Sequence, residues 1–119
     1  MTPRRADVQR EYAVKNDDAY NNRDYISGAA DFPPRWTTAA EAFRTRLLRE
    51  DRARTDLSYG AHERERLDLF WPKGAPNGLC VFIHGGYWRL FDRSYWSHFA
   101  AGCLSRGWAV AVPSYPLAP

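Results

Sequence analysis

The sequence predicts a mixed α/β architecture, a β-hairpin followed by a parallel strand–helix–strand unit, and three observations carry that prediction. Between Thr55 and Trp71 polar and apolar residues alternate on either side of a short turn. Residues 79–83 (LCVFI) and 108–112 (WAVAV) are continuously apolar and of strand length. Between them, Tyr95, Phe99 and Cys103 recur at helical spacing.

The elements follow in chain order. Residues 1–30 are polar and rich in Asn, Asp and Gly. They read as an N-terminal arm or loop, set apart from a single domain over residues 31–119. Tyr12, Tyr20 and Tyr25 either pack onto the body or travel with a mobile arm. Asp31 is a candidate cap for the next helix, with prolines tolerated in the first turn. Trp36, Ala39, Ala40, Phe43 and Leu47 then form one apolar stripe, with Glu41, Arg44 and Arg46 turned elsewhere. TDLSYG is a short strand ending at Gly60. ERLDLFWP alternates through Leu67, Leu69 and Trp71 until Pro72 stops it, so the pair is antiparallel. After the turn PKGAPNG, LCVFI reads as a strand covered on both faces. Ser94 to Arg106 reads as a helix stopped by Gly107, and WAVAV as a second buried strand ended by Pro113. Residues 78–113 thus form a βαβ unit, whose crossover is expected to be right-handed.

Composition narrows the function. The 119 residues are 45% hydrophobic and 15% aromatic, which suits a globular fold. The net charge of +3 comes almost wholly from arginine, scattered among acids as in EDRARTD and HERERLD. Without a basic block, a nucleic-acid surface is not expected. Cys80 and Cys103 lack metal-ligand spacing and read as buried free thiols of a reducing compartment. The N-terminus lacks the apolar core of a signal peptide, and no apolar run nears the roughly 18 residues of a membrane span. A cytoplasmic location without membrane contact is the expectation.

Chemistry concentrates in VFIHGGYW. Its paired glycines, Gly85 and Gly86, lie at the carboxyl end of a strand expected to be parallel, where open α/β sheets bind ligands. A backbone without Cβ can turn sharply and aim N–H groups at a negative oxygen. Phosphate cradles and oxyanion holes both use such a turn. HGGYWRLFDRS fits neither GxGxxG nor GxxxxGK[ST], whereas His-Gly-Gly after a strand fits the hole of acyl-transfer enzymes. His62 reads as solvated in the hairpin turn and His98 as a surface or half-buried helix residue. Asp68 and Asp92 read as solvated or capping.

VFIHGGYW, its spacing to GWAVAVPSYPLAP, and the upstream YNNRDY and YGAHERERLDLFWP resemble the α/β-hydrolase family of bacterial arylformamidases, the kynurenine formamidase-like esterases. The likeness runs from about Tyr20 onward, and the family's HGGxW hallmark corresponds to His84-Gly85-Gly86-Tyr87-Trp88. Hormone-sensitive-lipase-type esterases instead carry HGGG and Asp-Tyr-x-Leu-Ala-Pro. Here Ser114 stands at that Asp, and Pro116 precedes Leu117.

The resemblance implies an oxyanion hole at Gly85, Gly86 and Tyr87, with the N–H groups of Gly86 and Tyr87 as donors. It implies His84 as a brace of the loop and not the catalytic base. Tyr87 and Trp88 either line an aromatic-accepting pocket or pack beneath the loop. The implied substrate is a small aryl formamide or ester, most simply N-formylkynurenine. No metal or organic cofactor is implied, and a homodimer of the full-length protein stays open.

No catalytic residue is expected within the 119 residues. Ser27, Ser58, Ser94, Ser97, Ser105 and Ser114 all lack the glycines of Gly-x-Ser-x-Gly. In such folds nucleophile, acid and base follow the oxyanion loop. The chain is therefore expected to be the N-terminal part of an incomplete α/β-hydrolase domain, truncated before the nucleophile elbow, in a protein about twice as long. Alone, it is expected to be inactive and poorly soluble or molten, because LCVFI becomes an open edge. A carboxylesterase of the same fold and a non-catalytic interaction fragment are the competing readings.

Overall fold

The computed structural model describes residues 16–119; residues 1–15, Tyr12 among them, lie outside the described part. The chain divides into two units, Met1–Phe32 and Pro33–Pro119. In the first, residues 16–20 are helical, Asn22–Tyr25 makes one α-turn and Ala29–Asp31 one 3₁₀ turn. The segment expected as a loop is thus a string of short turns, fastened locally by Asn21 Nδ2 donating to Asp24 and Tyr25 Oη to Asp18.

Helix α1 spans Phe32–Arg49, with Pro33 and Pro34 in its first turn, where no intrahelical N–H is required. Its buried stripe is Ala40, Phe43 and Leu47, with Trp36 half-buried beside them. Ala39, expected on this stripe, is exposed. Arg44, expected to turn outward, is half-buried: its guanidinium donates to Ser94 O (2.6 Å) and Ser97 Oγ (2.8 Å), tying α1 to the crossover segment.

Strand β1 (Ala53–Ser58) pairs antiparallel with β2 (Arg66–Phe70), as the alternation predicts. A bulge in β1 between Arg54 and Leu57 leaves Asp56 at φ 59°. Strand β3 (Leu79–Val81) and β4 (Ala109–Pro113) pair in parallel, and the sheet order is β1-β2-β4-β3. A hairpin joined to a parallel pair gives the mixed α/β sheet that the sequence predicts.

Three expectations change. First, the buried side of β2 is Asp68 and Phe70, while Leu67 and Leu69 face the other way, half-exposed. Counting apolar residues favoured the wrong face, and because side chains alternate, every residue of the strand is displaced with it. Second, β3 is not covered on both faces. Leu79, Val81 and Ile83 are exposed, and only Cys80 and Phe82 pack toward the core. The strand buried on both sides is β4, which lies between β2 and β3. Third, the crossover is not one helix. Arg93–Tyr95 and Ser97–Ala100 are 3₁₀ turns, followed by a short helix α2 (Ala101–Leu104). Gly107 ends it at φ 80°, with the Trp108 N–H reaching back to Cys103 O.

The core lies between α1, the crossover and one face of the sheet. It is built on Phe43, Leu47, Phe70, Trp96, Leu104, Val110 and Val112. Trp96 is its aromatic centre, with Trp36 at 4.9 Å, Phe99 at 5.3 Å and Phe91 at 5.8 Å between ring centroids. Phe91 closes the glycine loop, so the core grips that loop by its far end. Among the described residues no helix is long and apolar enough to cross a membrane.

Candidate active site

The loop from His84 to Asp92 leaves the carboxyl end of β3, where the sequence places it. Gly86 has φ 124°, and Tyr87, Trp88 and Phe91 also have positive φ (55°, 60° and 71°). Non-glycine residues rarely adopt that region, and a cluster of them is a mark of functional loops. A Cβ on Gly86 would stand 2.5 Å from the Leu90 carbonyl oxygen, so both conformation and space require glycine there. Gly85 differs: nothing lies within 4 Å of where its Cβ would be.

Several carbonyls of the loop accept hydrogen bonds: His84 O from the Tyr115 hydroxyl (2.7 Å), Gly85 O from His84 Nδ1 (2.7 Å), Gly86 O from the N–H groups of Arg89 and Leu90 (both 3.0 Å), Trp88 O from Ala118 N–H (2.7 Å) and Phe91 O from Arg64 (2.6 Å). By contrast, the N–H groups of Gly85, Gly86, Tyr87 and Trp88 meet no acceptor among the described residues. Successive unpaired backbone donors make a concavity suited to negative charge.

His84 lies beneath the loop, 2% exposed, its ring stacked on Tyr115 at 4.5 Å. A carbonyl only accepts, so the bond to Gly85 O puts a proton on Nδ1, and the other ring nitrogen is Nε2. That Nε2 is buried and unpartnered among the described residues. Tyr87 and Trp88 are both exposed, and Trp88 approaches Tyr115 at 5.2 Å. Trp88 also borders an apolar cleft of about 380 Å³ with Tyr59, Leu67, Ile83, Pro113 and Tyr115. The cleft is at the carboxyl ends of β3 and β4. A larger hollow of about 500 Å³, by Pro72, Leu104 and Gly107, is at the opposite end of the sheet, away from where such sheets bind ligands.

The remaining candidates resolve as follows. Asp92 Oδ1 accepts from Ser94 N–H and caps the 3₁₀ turn, as expected. His62 is exposed in the hairpin turn, its Nδ1 accepting from Arg64 N–H. His98 is half-buried, with its Nδ1 buried and unpartnered; burial lowers its pKa. Asp68 corrects its expectation: it is 3% exposed and ion-paired to Arg93 at 2.9 Å. A buried carboxylate needs such a partner, and the inward register of β2 supplies the position. No serine hydroxyl bonds a histidine or a carboxylate among the described residues. Ser114, 1% exposed, instead accepts the Arg93 N–H at 3.0 Å.

Cys80 and Cys103 are free and half-buried. The neighbouring Cys103 thiol, with burial, pushes the Cys80 pKa up. Among the described residues, no group of three or more His, Cys, Asp or Glu side chains gathers as metal ligands do.

Sequence reasoning missed the network beneath the loop: Arg64, Arg93, Asp56, Asp68 and Tyr115. The available signal was Asp68 between Leu67 and Leu69 in a strand, where an inward register would call for a buried cation.

No protein-family model matches the chain. It is 30% identical over 66 residues to the kynurenine formamidase of Danio rerio, covering 54% of this chain and 22% of that protein. It is 38% identical over 65 residues to the kynurenine formamidase of Drosophila melanogaster, covering 53% and 21%. A solved structure from Silicibacter sp. TM1040, provisionally assigned as a thioesterase, is 62% identical with a TM-score of 0.81; the match covers 86% of this chain and 38% of that one. The chain thus spans well under half of each of these three proteins. Its mixed sheet is part of an α/β-hydrolase fold, and the chain is similar to the arylformamidase-like esterases of that family.

Proposed function

We propose that the chain supplies the oxyanion-binding part of a serine hydrolase that acts on a formamide or ester carbonyl. The single observation that carries the reading is that the N–H groups of Gly85, Gly86, Tyr87 and Trp88 meet no acceptor among the described residues, in a turn whose Gly85 and Gly86 carbonyls are bonded. When a nucleophile adds to a carbonyl, its oxygen gains negative charge. Donors already in place stabilise that charge more than they stabilise the substrate, so the barrier falls. Gly86 and Tyr87 N–H are the donors, Gly85 leaves room for the acyl carbon, and His84 fixes the turn through Gly85 O. Loss of one such donor typically costs about 10²–10³ in turnover.

The apolar cleft beside Trp88 and Tyr115 receives the non-reacting part of the substrate, and its aromatic lining favours an aryl group. N-formylkynurenine, cleaved to kynurenine and formate in tryptophan breakdown, fits that description and the names of the relatives. Nucleophile, base and acid then come from sequence beyond Pro119, and the protein works in the cytoplasm without metal or cofactor. Water is the second reactant: the serine ester formed in the first step is hydrolysed to release the acid.

A second reading has its own support. The 62% identical structure carries a thioesterase assignment, and a thioester passes through the same oxyanion. The complete gene product, assayed against N-formylkynurenine, p-nitrophenyl acetate and acetyl-coenzyme A, separates the two. Preference for the formamide is expected. Cleavage of the thioester alone moves the assignment to the second reading, and cleavage of none of the three overturns both.

A further inference from the structure

Two arginines far apart in sequence meet at the exit of the glycine loop. Arg64, from the β1–β2 turn, donates Nε to Tyr115 O (2.9 Å) and a terminal nitrogen to Phe91 O (2.6 Å). One planar fork therefore spans the end of the loop and the segment after β4. Arg93, two residues past Phe91, donates Nε to Asp68 (2.9 Å) and a terminal nitrogen to Asp56 (2.6 Å). Its backbone N–H holds Ser114 Oγ, and Tyr59 Oη holds Ser114 O at 2.6 Å. The bulge that sets Asp56 at φ 59° also turns its N–H onto Asp68 Oδ1 at 2.9 Å.

We infer that Arg64 and Arg93 are positioning residues that clamp the exit of the glycine loop to the segment after β4, keeping the N–H groups of residues 85–88 open; the inference rests on the oxyanion reading above. The physical need is clear. Tyr87, Trp88 and Phe91 sit in a sparsely populated backbone region that persists only where surroundings over-determine it. Released, Phe91 can relax to negative φ, and its carbonyl, no longer held by Arg64, becomes free to compete for the loop's own N–H groups. Charge-assisted bonds from a rigid fork resist that change better than neutral ones. Asp68, almost wholly buried, holds Arg93 in one orientation, and the clamp thereby acquires the rigidity of β2. Neither arginine touches the oxyanion position; both act through the loop.

The test reads loop order and chemistry separately, in the complete gene product. Arg64→Gln is expected to speed amide hydrogen exchange about tenfold or more in peptides covering residues 84–91, with β2 and β4 unchanged. In the same variant, kcat for p-nitrophenyl acetate is expected to fall about tenfold or more while KM stays within about twofold. Arg64→Lys, which retains the charge but not the fork, should recover part of both losses, and it carries the test if Arg64→Gln does not fold. Unchanged exchange in 84–91, or a uniform rise across the strands, overturns the clamp. A rise in KM at constant kcat overturns its role in positioning donors. If the unsubstituted protein cleaves none of the three carbonyl substrates, the oxyanion reading fails, while the exchange result still decides whether the clamp holds the loop.

Discussion

The two faces of the sheet contain the same kinds of residue and have opposite fates. On one face Phe70, Val110 and Val112 are buried under α1 and the crossover. On the other, Leu79, Val81 and Ile83 are 55–60% exposed, and Leu67 is half-exposed at the apolar cleft. Residue type makes both faces apolar and does not say which is covered. Coverage depends on what the rest of the chain lays against each face, and among the described residues a helix and a crossover are packed on the first. The outer face resembles a core surface without its lid, continuous with an open β3 edge.

Substitutions sharpen that contrast. The largest effect is expected at Phe70, fully buried and edge-on to Phe43 at 5.7 Å. Phe70→Ala should destabilise by about 3–5 kcal/mol in urea unfolding of the complete gene product. A loss below about 1 kcal/mol would mean that the covered face does not hold the fold together. Gly86→Ala comes next. It must fit a Cβ 2.5 Å from Leu90 O at φ 124°, so a cost of about 1–3 kcal/mol is expected, with local loss of loop order. Gly85→Ala is the paired control, since open space around its Cβ predicts little change in the unfolding midpoint. Equal costs at the two glycines would contradict the geometry of the turn.

On the outer face the expectation reverses. Val81→Lys should change the stability of the isolated 119-residue chain by no more than about 0.5 kcal/mol, because the side chain is already in water. It should instead reduce self-association, since a charge on an exposed strand edge opposes edge pairing. Sedimentation velocity of the two chains reads this directly. A soluble, cooperatively unfolding 119-residue chain that gains nothing from Val81→Lys would remove the argument that the β3 edge is sticky.

The contrast also explains what the sequence disclosed. The hairpin, the parallel pair and the position of the glycine loop were legible, because alternation, apolar runs and Gly-Gly are local signals. The side of β2 that is buried was not legible: the alternation through Leu67, Leu69 and Trp71 points to the other face, and Asp68 reads as an exposed residue until Arg93 is seen beside it. The crossover was misread as one helix because Tyr95, Phe99 and Cys103 keep helical spacing through two 3₁₀ turns as well. Of the site, His84 to Trp88 could be named from sequence. The bonds of Arg64 and Tyr115 could not, since they run to backbone carbonyls that no side-chain pattern encodes.

The smallest expected effect lies on the covered side. His98 is packed against Phe99 (ring centroids 4.8 Å) with a buried Nδ1, and burial lowers its pKa below the usual value of 6.5. The unfolded chain therefore binds a proton at a pH where the folded chain does not. Stability is then at its full value above about pH 6.5 and declines as the pH falls from there toward the depressed folded value. Because the ring is only half-buried, the decline is modest. His98→Gln keeps a polar side chain without a titrating ring, so the difference in unfolding midpoint between pH 7.5 and pH 5.5 should shrink relative to the unsubstituted protein. A midpoint difference left unchanged would mean that water reaches the ring and that the crossover covers its face of the sheet less tightly than the packing around Trp96 implies.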